Sequence, residues 1–231
     1  MYARQERTGD KGLLMDFKAA RRRMVESQVR TNDVTDLRLQ AALETVPREV
    51  FLPAGIREQA YVERELPYAP GRAMLTARDF AKLVAAADPR PGDLCLDAVA
   101  GTGYSTAILA RLVDMVVAVE SDETLAAAAQ ENLTKLDVGN AAVIAGDSAK
   151  GAADQGPFDL ILLDGVIEVR PDALLMQLKD GGRLATIQRR DGVSRGVVYR
   201  RSGDAFAAKE KFDATAKTVL PGFAAAKTFV F

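Results

Sequence analysis

Three carboxylates stand at the ends of apolar runs, spaced as ligands of a nucleotide-like molecule would be. The first run, Leu94-Cys95-Leu96, ends at Asp97. It leads through Ala98 into the turn Gly101-Thr102-Gly103 and a helical pattern opening at Tyr104. The second, Met115-Val116-Val117-Ala118-Val119, ends at Glu120 and Ser121. The third, Val143-Ile144-Ala145, ends at Gly146-Asp147, with Ser148 next. At the edge of a parallel sheet these residues have distinct tasks. Glycines let the backbone approach a ligand, and an acidic residue after the second strand accepts hydrogen bonds from ribose hydroxyls.

The glycine spacing is shared by several cofactor sites. A nicotinamide fingerprint needs a third glycine at position 106, which is Thr, and a phosphate loop needs Gly-Lys-Ser/Thr, which the sequence lacks. S-adenosyl-L-methionine has no phosphate and presents an amino-acid end, a ribose and an adenine. Asp97 suits the ammonium, directly or through water. The backbone around Gly101 and Gly103 suits the methionine part, Glu120 the ribose diol, and Asp147 the adenine amino group. Ala98, Tyr104, Ser121, Ser148 and Asp164 are placed in the same site. Each of these residues also fits a structural task, such as a tight turn or a helix-start charge. Their recurrence at successive strand ends is what points to a ligand.

Composition narrows the chemistry further. The chain has no histidine, which excludes a His general base, a His metal ligand and a Ser-His-Asp triad. One cysteine allows no internal disulfide, and Cys95 reads as a small buried hydrophobe. A net charge of −1 gives no bulk attraction to nucleic acid or anionic lipid. No apolar run reaches the ~20 residues of a membrane span, and the expected location is the cytoplasm. With 48% apolar residues in 231, one large domain with a small cap is expected.

The elements that must position these residues are legible in outline. Residues 1–14 read as a disordered leader before Met15, residues 15–75 as a helical cap with an acceptor loop, and residues 76–231 as the cofactor-binding core. An amphipathic helix is expected from Asp16 to Arg30, and a second, capped by Asp33 or Thr35, to Glu44. Arg21-Arg22-Arg23 reads as a solvated helix face. The proline- and glycine-rich stretch 65–71 reads as a loop, and Thr76-Ala77-Arg78-Asp79 as a capping box for a helix to Ala87. Strands are then expected at 94–99, 115–120, 143–145, 158–164 and 183–187. Helices follow at 104–112, at 122–136 and through Leu174, Leu175 and Leu178. Such alternation means a parallel sheet covered on both faces. Strands at 196–201 and 227–231 would finish one edge as an antiparallel pair.

From about Asp16 to Arg190 the chain resembles the protein-L-isoaspartate O-methyltransferase family. The resemblance is carried by Met24-Val25 with Gln28-Val29-Arg30, Val46-Pro47-Arg48-Glu49-Val50-Phe51-Leu52-Pro53, Ala60-Tyr61, Leu66-Pro67, Gly101-Thr102-Gly103-Tyr104, Gly146-Asp147, Pro157-Phe158-Asp159 and Gln177-Leu178-Lys179 with Gly181-Gly182-Arg183-Leu184. The Val-Pro-Arg-Glu-x-Phe-x-Pro segment is specific to that family. The resemblance implies an α/β fold of the class I methyltransferase (Rossmann-like) type. That fold is a mostly parallel seven-stranded sheet with helices on both faces, here under an N-terminal helical cap. It also implies methyl transfer from S-adenosyl-L-methionine to the carboxylate of isoaspartyl residues in damaged proteins.

The chain departs from the family pattern where the acceptor would sit. Gly-His-Gly and a Thr-x-Ser-x-Pro-like stretch are replaced by Pro70-Gly71-Arg72-Ala73-Met74-Leu75-Thr76-Ala77-Arg78. The first glycine of the cofactor turn is Val99, and Asp164-Gly165 stands where small neutral residues are usual. A carboxylate acceptor is already deprotonated at neutral pH, so a chain without histidine can carry the reaction by positioning alone. Thr76 is the expected hydroxyl donor to that carboxylate, at a helix N-terminus that favours an anion. Arg72 is the expected two-pronged clamp on it. A charged Asp164 would repel such an acceptor and would suit a hydroxyl or amine instead. Two other readings therefore stand beside the first: the same scaffold with a different acceptor, and a cofactor-binding protein without catalysis.

Overall fold

A computed structural model describes residues 15–226. The expected leader at 1–14 and the expected strand at 227–231 lie outside the described residues. In chain order the elements are α1 (Phe17–Met24), α2 (Leu37–Thr45), β1 (Leu66–Ala69), β2 (Arg72–Met74), α3 (Ala77–Ala87), β3 (Leu94–Asp97), α4 (Tyr104–Leu109), β4 (Met115–Glu120), α5 (Glu123–Lys135), β5 (Ala141–Ala145), β6 (Phe158–Ile167), α6 (Asp172–Leu175), β7 (Leu178–Arg190), β8 (Val193–Ser202) and β9 (Ala205–Asp213).

Seven strands form one sheet in the order β5-β4-β3-β6-β7-β8-β9. The first five in that order run parallel, and β8 and β9 close the edge as antiparallel neighbours. The near-continuous apolar runs of β4 and β6 are buried because both sheet faces are covered. Strand β3 pairs with β4 on one side and β6 on the other. Successive parallel strands therefore add outward in both directions from β3, and the crevice beyond its carboxyl end is where such sheets bind ligands.

The caps explain where helices start. Asp16 accepts from Ala19 N–H at the start of α1. The chain then widens into a π-helical turn over Val25–Val29 and a tight turn over Arg30–Asn32. Asp36, rather than Asp33 or Thr35, caps α2 by accepting from Arg38 and Leu39 N–H. Asp33 instead takes the left-handed conformation that ends the preceding turn, φ 64°. Thr76 caps α3 through Asp79 N–H at 3.0 Å. Asp79 does not close the box: its carboxylate accepts from the N–H and hydroxyl of Thr215.

Three expectations are corrected. The stretch 65–71 is not a loop. Leu66–Ala69 and Arg72–Met74 form an antiparallel hairpin, turning at Gly71, where φ is +65° and a Cβ would press on Pro221 at 2.7 Å. The long helix through Leu178 is a single turn, Asp172–Leu175, because Leu178 pairs with Phe158 in the sheet. No strand is expected over 205–213, yet β9 forms there and pairs antiparallel with β8 on the side opposite β7.

A buried ion pair fastens the amino-terminal ends of the strands. The Arg183 guanidinium reaches Asp93 at 2.5 Å, with the two side chains 4% and 8% exposed. It also donates to the carbonyls of Ala87 and Asp159. One side chain thus ties the end of α3, the start of β3, β6 and β7. Arg183→Ala leaves Asp93 buried without its cation and is expected to lower unfolding free energy by about 3–5 kcal/mol. Urea titration measures this, and a loss below about 1 kcal/mol contradicts it.

Candidate active site

The carboxyl ends of β3 and β4 are built around two buried carboxylates. Asp97 is fully buried. Its Oδ2 accepts from the hydroxyls of Ser105 and Thr106, each at 2.7 Å, in the first turns of α4. Its Oδ1 is sealed from solvent without a partner. Burial pushes its pKa up to about 6, against the pull of the two hydroxyls.

Glu120 is also fully buried, and both its oxygens are saturated. Oε2 accepts from Gly101 N–H at 2.9 Å and Arg72 Nε at 3.0 Å. Oε1 accepts from Asp122 N–H at 3.0 Å and Arg72 Nη2 at 2.5 Å. Burial would raise its pKa, but Arg72 and the N–H groups of Asp122 and Gly101 together hold it below the usual carboxylate range. Nη2 of Arg72 also donates to the Ser121 hydroxyl at 3.0 Å.

The glycine turn is held between these groups. Gly103 N–H donates to the Ala100 carbonyl, and Ala100 N–H to that of Val119. Gly101 and Gly103 are left-handed, φ +55° and +95°. A Cβ on Gly103 would meet the Ala129 backbone at 3.3 Å, and one on Gly101 would collide with the Tyr68 hydroxyl. Ala98 is buried and donates to Leu162 across the sheet.

The structure brings Asp97, the turn, Glu120 and Ser121 together. Gly146 joins them by donating its N–H to the Glu120 carbonyl. Asp147 is an exposed turn carboxylate that accepts from Ala149 N–H at 3.0 Å. The Ser148 hydroxyl is buried without a partner. Tyr104, placed in the cofactor site by sequence, packs its ring on core aromatics and also borders the small cavity shared by Arg72 and Asp164. Its ring lies edge-on to Phe51, centroids 5.5 Å apart, and tilted against Phe80.

The two residues expected to hold the acceptor are separated. Arg72 lines a cavity of about 20 Å³, room for about one water, together with Tyr68, Val99, Ser105 and Asp164. Thr76 lines a groove of about 500 Å³ with Glu65, Arg78 and Lys217. Met74 faces the first space and Thr76 the second, two residues apart. Arg72 is the two-pronged clamp the sequence suggests, but the carboxylate it grips is Glu120. Sequence reasoning missed Tyr68, whose hydroxyl lies over the glycine turn, and Leu220, which closes the same cavity. No spacing rule links either one to β3.

The Val-Pro-Arg-Glu segment has a structural explanation. Arg48 is 1% exposed. It donates to the carbonyls of Ala60 and Leu75, and its guanidinium stacks on Tyr104, 5.1 Å from the ring centre. Glu49 accepts from the Tyr61 hydroxyl. The motif therefore clasps the segment before Thr76 to the helix that follows the glycine turn.

Asp164 sits within β6, where the register with β7 shifts between Leu162 and Val166, with Oδ1 sealed and unpartnered. Burial, reinforced by the Asp97 charge and opposed by Arg48, pushes its pKa up to about 8. Glu168, four residues further along the chain, is paired with Arg189 at 2.7 Å.

The sequence profile of the protein-L-isoaspartate(D-aspartate) O-methyltransferase family matches residues 19–215. A protein-L-isoaspartate O-methyltransferase of Koribacter versatilis is 37% identical over 171 residues, 74% of this chain and 77% of the relative. A solved protein-L-isoaspartate O-methyltransferase superposes with a TM-score of 0.76 at 20% identity, covering 88% of this chain and 67% of the other. A Plasmodium falciparum chain described as a beta-aspartate methyltransferase, in complex with S-adenosyl-L-homocysteine, gives 0.71 at 18% identity, covering 85% and 96%. The two structures show the shared fold.

The Asp164 carboxyl titrates above its unfolded value. The stability it contributes is full in acid and is lost as pH rises toward 8. Asp164→Asn removes that dependence. Relative to the variant, the wild type is expected to lose on the order of 3–4 kcal/mol between pH 5 and pH 8. Parallel urea stability curves for the two proteins would contradict this.

Proposed function

The chain belongs to the protein-L-isoaspartate O-methyltransferase family, and on that premise we propose that it methylates the carboxylate of isoaspartyl residues in damaged proteins, with S-adenosyl-L-methionine as donor. The observation that carries this reading is the junction at Glu120, where a buried carboxylate at a strand end holds the N–H of Gly101 in the glycine turn. That junction gathers the acidic end and the turn which a ribose-bearing cofactor needs.

The residues present fit the cofactor chemically. Asp97 keeps a buried, unpartnered oxygen for a hydrogen-bond donor. Glu120 carries the two oxygens a diol would use once Arg72 no longer holds them, and the glycines keep Cβ atoms out of the turn, where Tyr68 and Ala129 now pack. When bound, S-adenosyl-L-methionine supplies an electrophilic methyl group. The protein's part is to orient the acceptor and exclude water from it.

The acceptor needs no base, which agrees with a chain lacking histidine. Thr76 is assigned to it because its oxygen caps α3 while its hydroxyl proton remains available. The same groove carries Arg64, Arg78 and Lys217 against Glu63 and Glu65, a small excess of positive charge toward an anionic peptide segment, with Arg78 itself paired to Asp79. Asp164 weakens the sequence-based objection to a carboxylate acceptor. A carboxyl group with a pKa of about 8 is mostly neutral at pH 7 and does not repel an anion.

Methyl transfer is expected to an isoaspartyl peptide and not to its aspartyl twin, measured with radiolabelled donor. Equal transfer to both, or to neither by a protein that binds the donor, would assign a different acceptor. Thr76→Ala should reduce turnover on the order of 10–100-fold with unchanged donor affinity, and Thr76→Ser should restore it. Full activity in the alanine variant would remove Thr76 from the reaction.

A further inference from the structure

Two features of the crevice are unexplained by methyl transfer. Glu120, the carboxylate that a ribose would use, has no free acceptor position, because Arg72 occupies it with two prongs. Asp164, in the same cavity wall as Arg72, is the one carboxylate lining that cavity, and it has an oxygen with no partner at all.

Each feature answers the other. Two ribose hydroxyls can reach Glu120 only if the guanidinium leaves. A guanidinium that is 4% exposed is strongly disfavoured without its carboxylate unless another anion receives it. Pro221 lies so close to Gly71 that a Cβ there would be 2.7 Å from its ring, and the new partner that needs no backbone movement is one within reach of the side chain. We propose that Arg72 exchanges between two carboxylates, gripping Glu120 while the crevice is closed and Asp164 once a nucleoside diol takes Glu120. The inference rests on the cofactor reading above. It adds that cofactor entry is a competition with the protein's own arginine, and that Asp164 sets its outcome.

The groups facing Asp164 are Asp97 from β3, Arg48 from the turn after α2, Tyr104 from α4, and Tyr68 and Arg72 from the hairpin. Burial, and after it the Asp97 charge, favours the protonated form of Asp164 at neutral pH, with Arg48 opposing. The arrival of Arg72 favours the carboxylate, so Asp164 gives its proton to solvent as the pair forms. The exchange therefore releases a proton, whereas a rigid site filled by the same ligand would release none from Asp164.

The test is calorimetric titration of the full-length protein with S-adenosylhomocysteine at pH 7, in phosphate and in Tris. The wild type should release roughly one proton per ligand bound, and Asp164→Asn should release none. Asp164→Asn should bind about tenfold more weakly, Arg72→Gln about tenfold more tightly, and in the Arg72→Gln background the Asn substitution should have no effect. Unchanged or weaker binding by Arg72→Gln, or an equal effect of Asp164→Asn in both backgrounds, overturns the exchange and leaves the cofactor assignment standing. Binding by neither wild type nor Arg72→Gln overturns both. If Arg72→Gln does not fold, the first two proteins decide: proton release lost in Asp164→Asn supports the exchange, and equal release in both refutes it.

Discussion

The carboxylate of Glu120 is the point on which the site depends. It is buried at the end of β4 and takes hydrogen bonds from the turn after β3, from the start of α5 and from the hairpin before α3. Three segments distant in sequence are thus tied to one acidic group. A buried carboxylate tolerates this position only when fully paired. In the proposed exchange, the occupant of Glu120 decides whether the crevice is open or shut. In this structure the occupant is Arg72, with Tyr68 beside it over the glycine turn and Leu220 closing the far side.

The scaffold around that junction is stiff where position matters. Arg183 ties the strand starts and Arg48 ties the segment before Thr76 to α4. Both arginines are almost wholly buried and bond mainly to carbonyls. The hairpin of β1 and β2 is attached more locally. Its turn rests on Pro221, and Glu65 accepts from Lys217 and Thr218 N–H. A rigid sheet edge facing a hairpin held by a short strap can change its occupant without disturbing the core. The absence of histidine is compatible with this division, since positioning and charge exchange need no group titrating by the usual histidine route.

Local patterns carried most of the fold in the sequence. The boundaries of β4 follow its apolar run to the residue, and Thr76 caps α3 because its hydroxyl lies one turn before a free N–H. Long-range pairing was hidden. Arg72 and Glu120 are 48 residues apart, and a lone arginine in a proline-rich stretch carries no mark of its partner. The hairpin read as a loop because Pro67, Pro70 and Gly71 are also loop residues. Strand β9 was missed because it is an edge strand. Lys209, Glu210 and Lys211 are exposed there, as edge protection requires, and they erase the apolar alternation. The short α6 was overextended because Leu174, Leu175 and Leu178 fit a helical stripe, while the register of Leu178 is set by Phe158 on a neighbouring strand.

A crystal structure of the full-length protein grown with S-adenosylhomocysteine tests the central claim most directly. The account predicts ribose hydroxyls within hydrogen-bond distance of both Glu120 oxygens, with the Arg72 guanidinium displaced from them. A nucleoside bound elsewhere, with Arg72 still gripping Glu120, would contradict it.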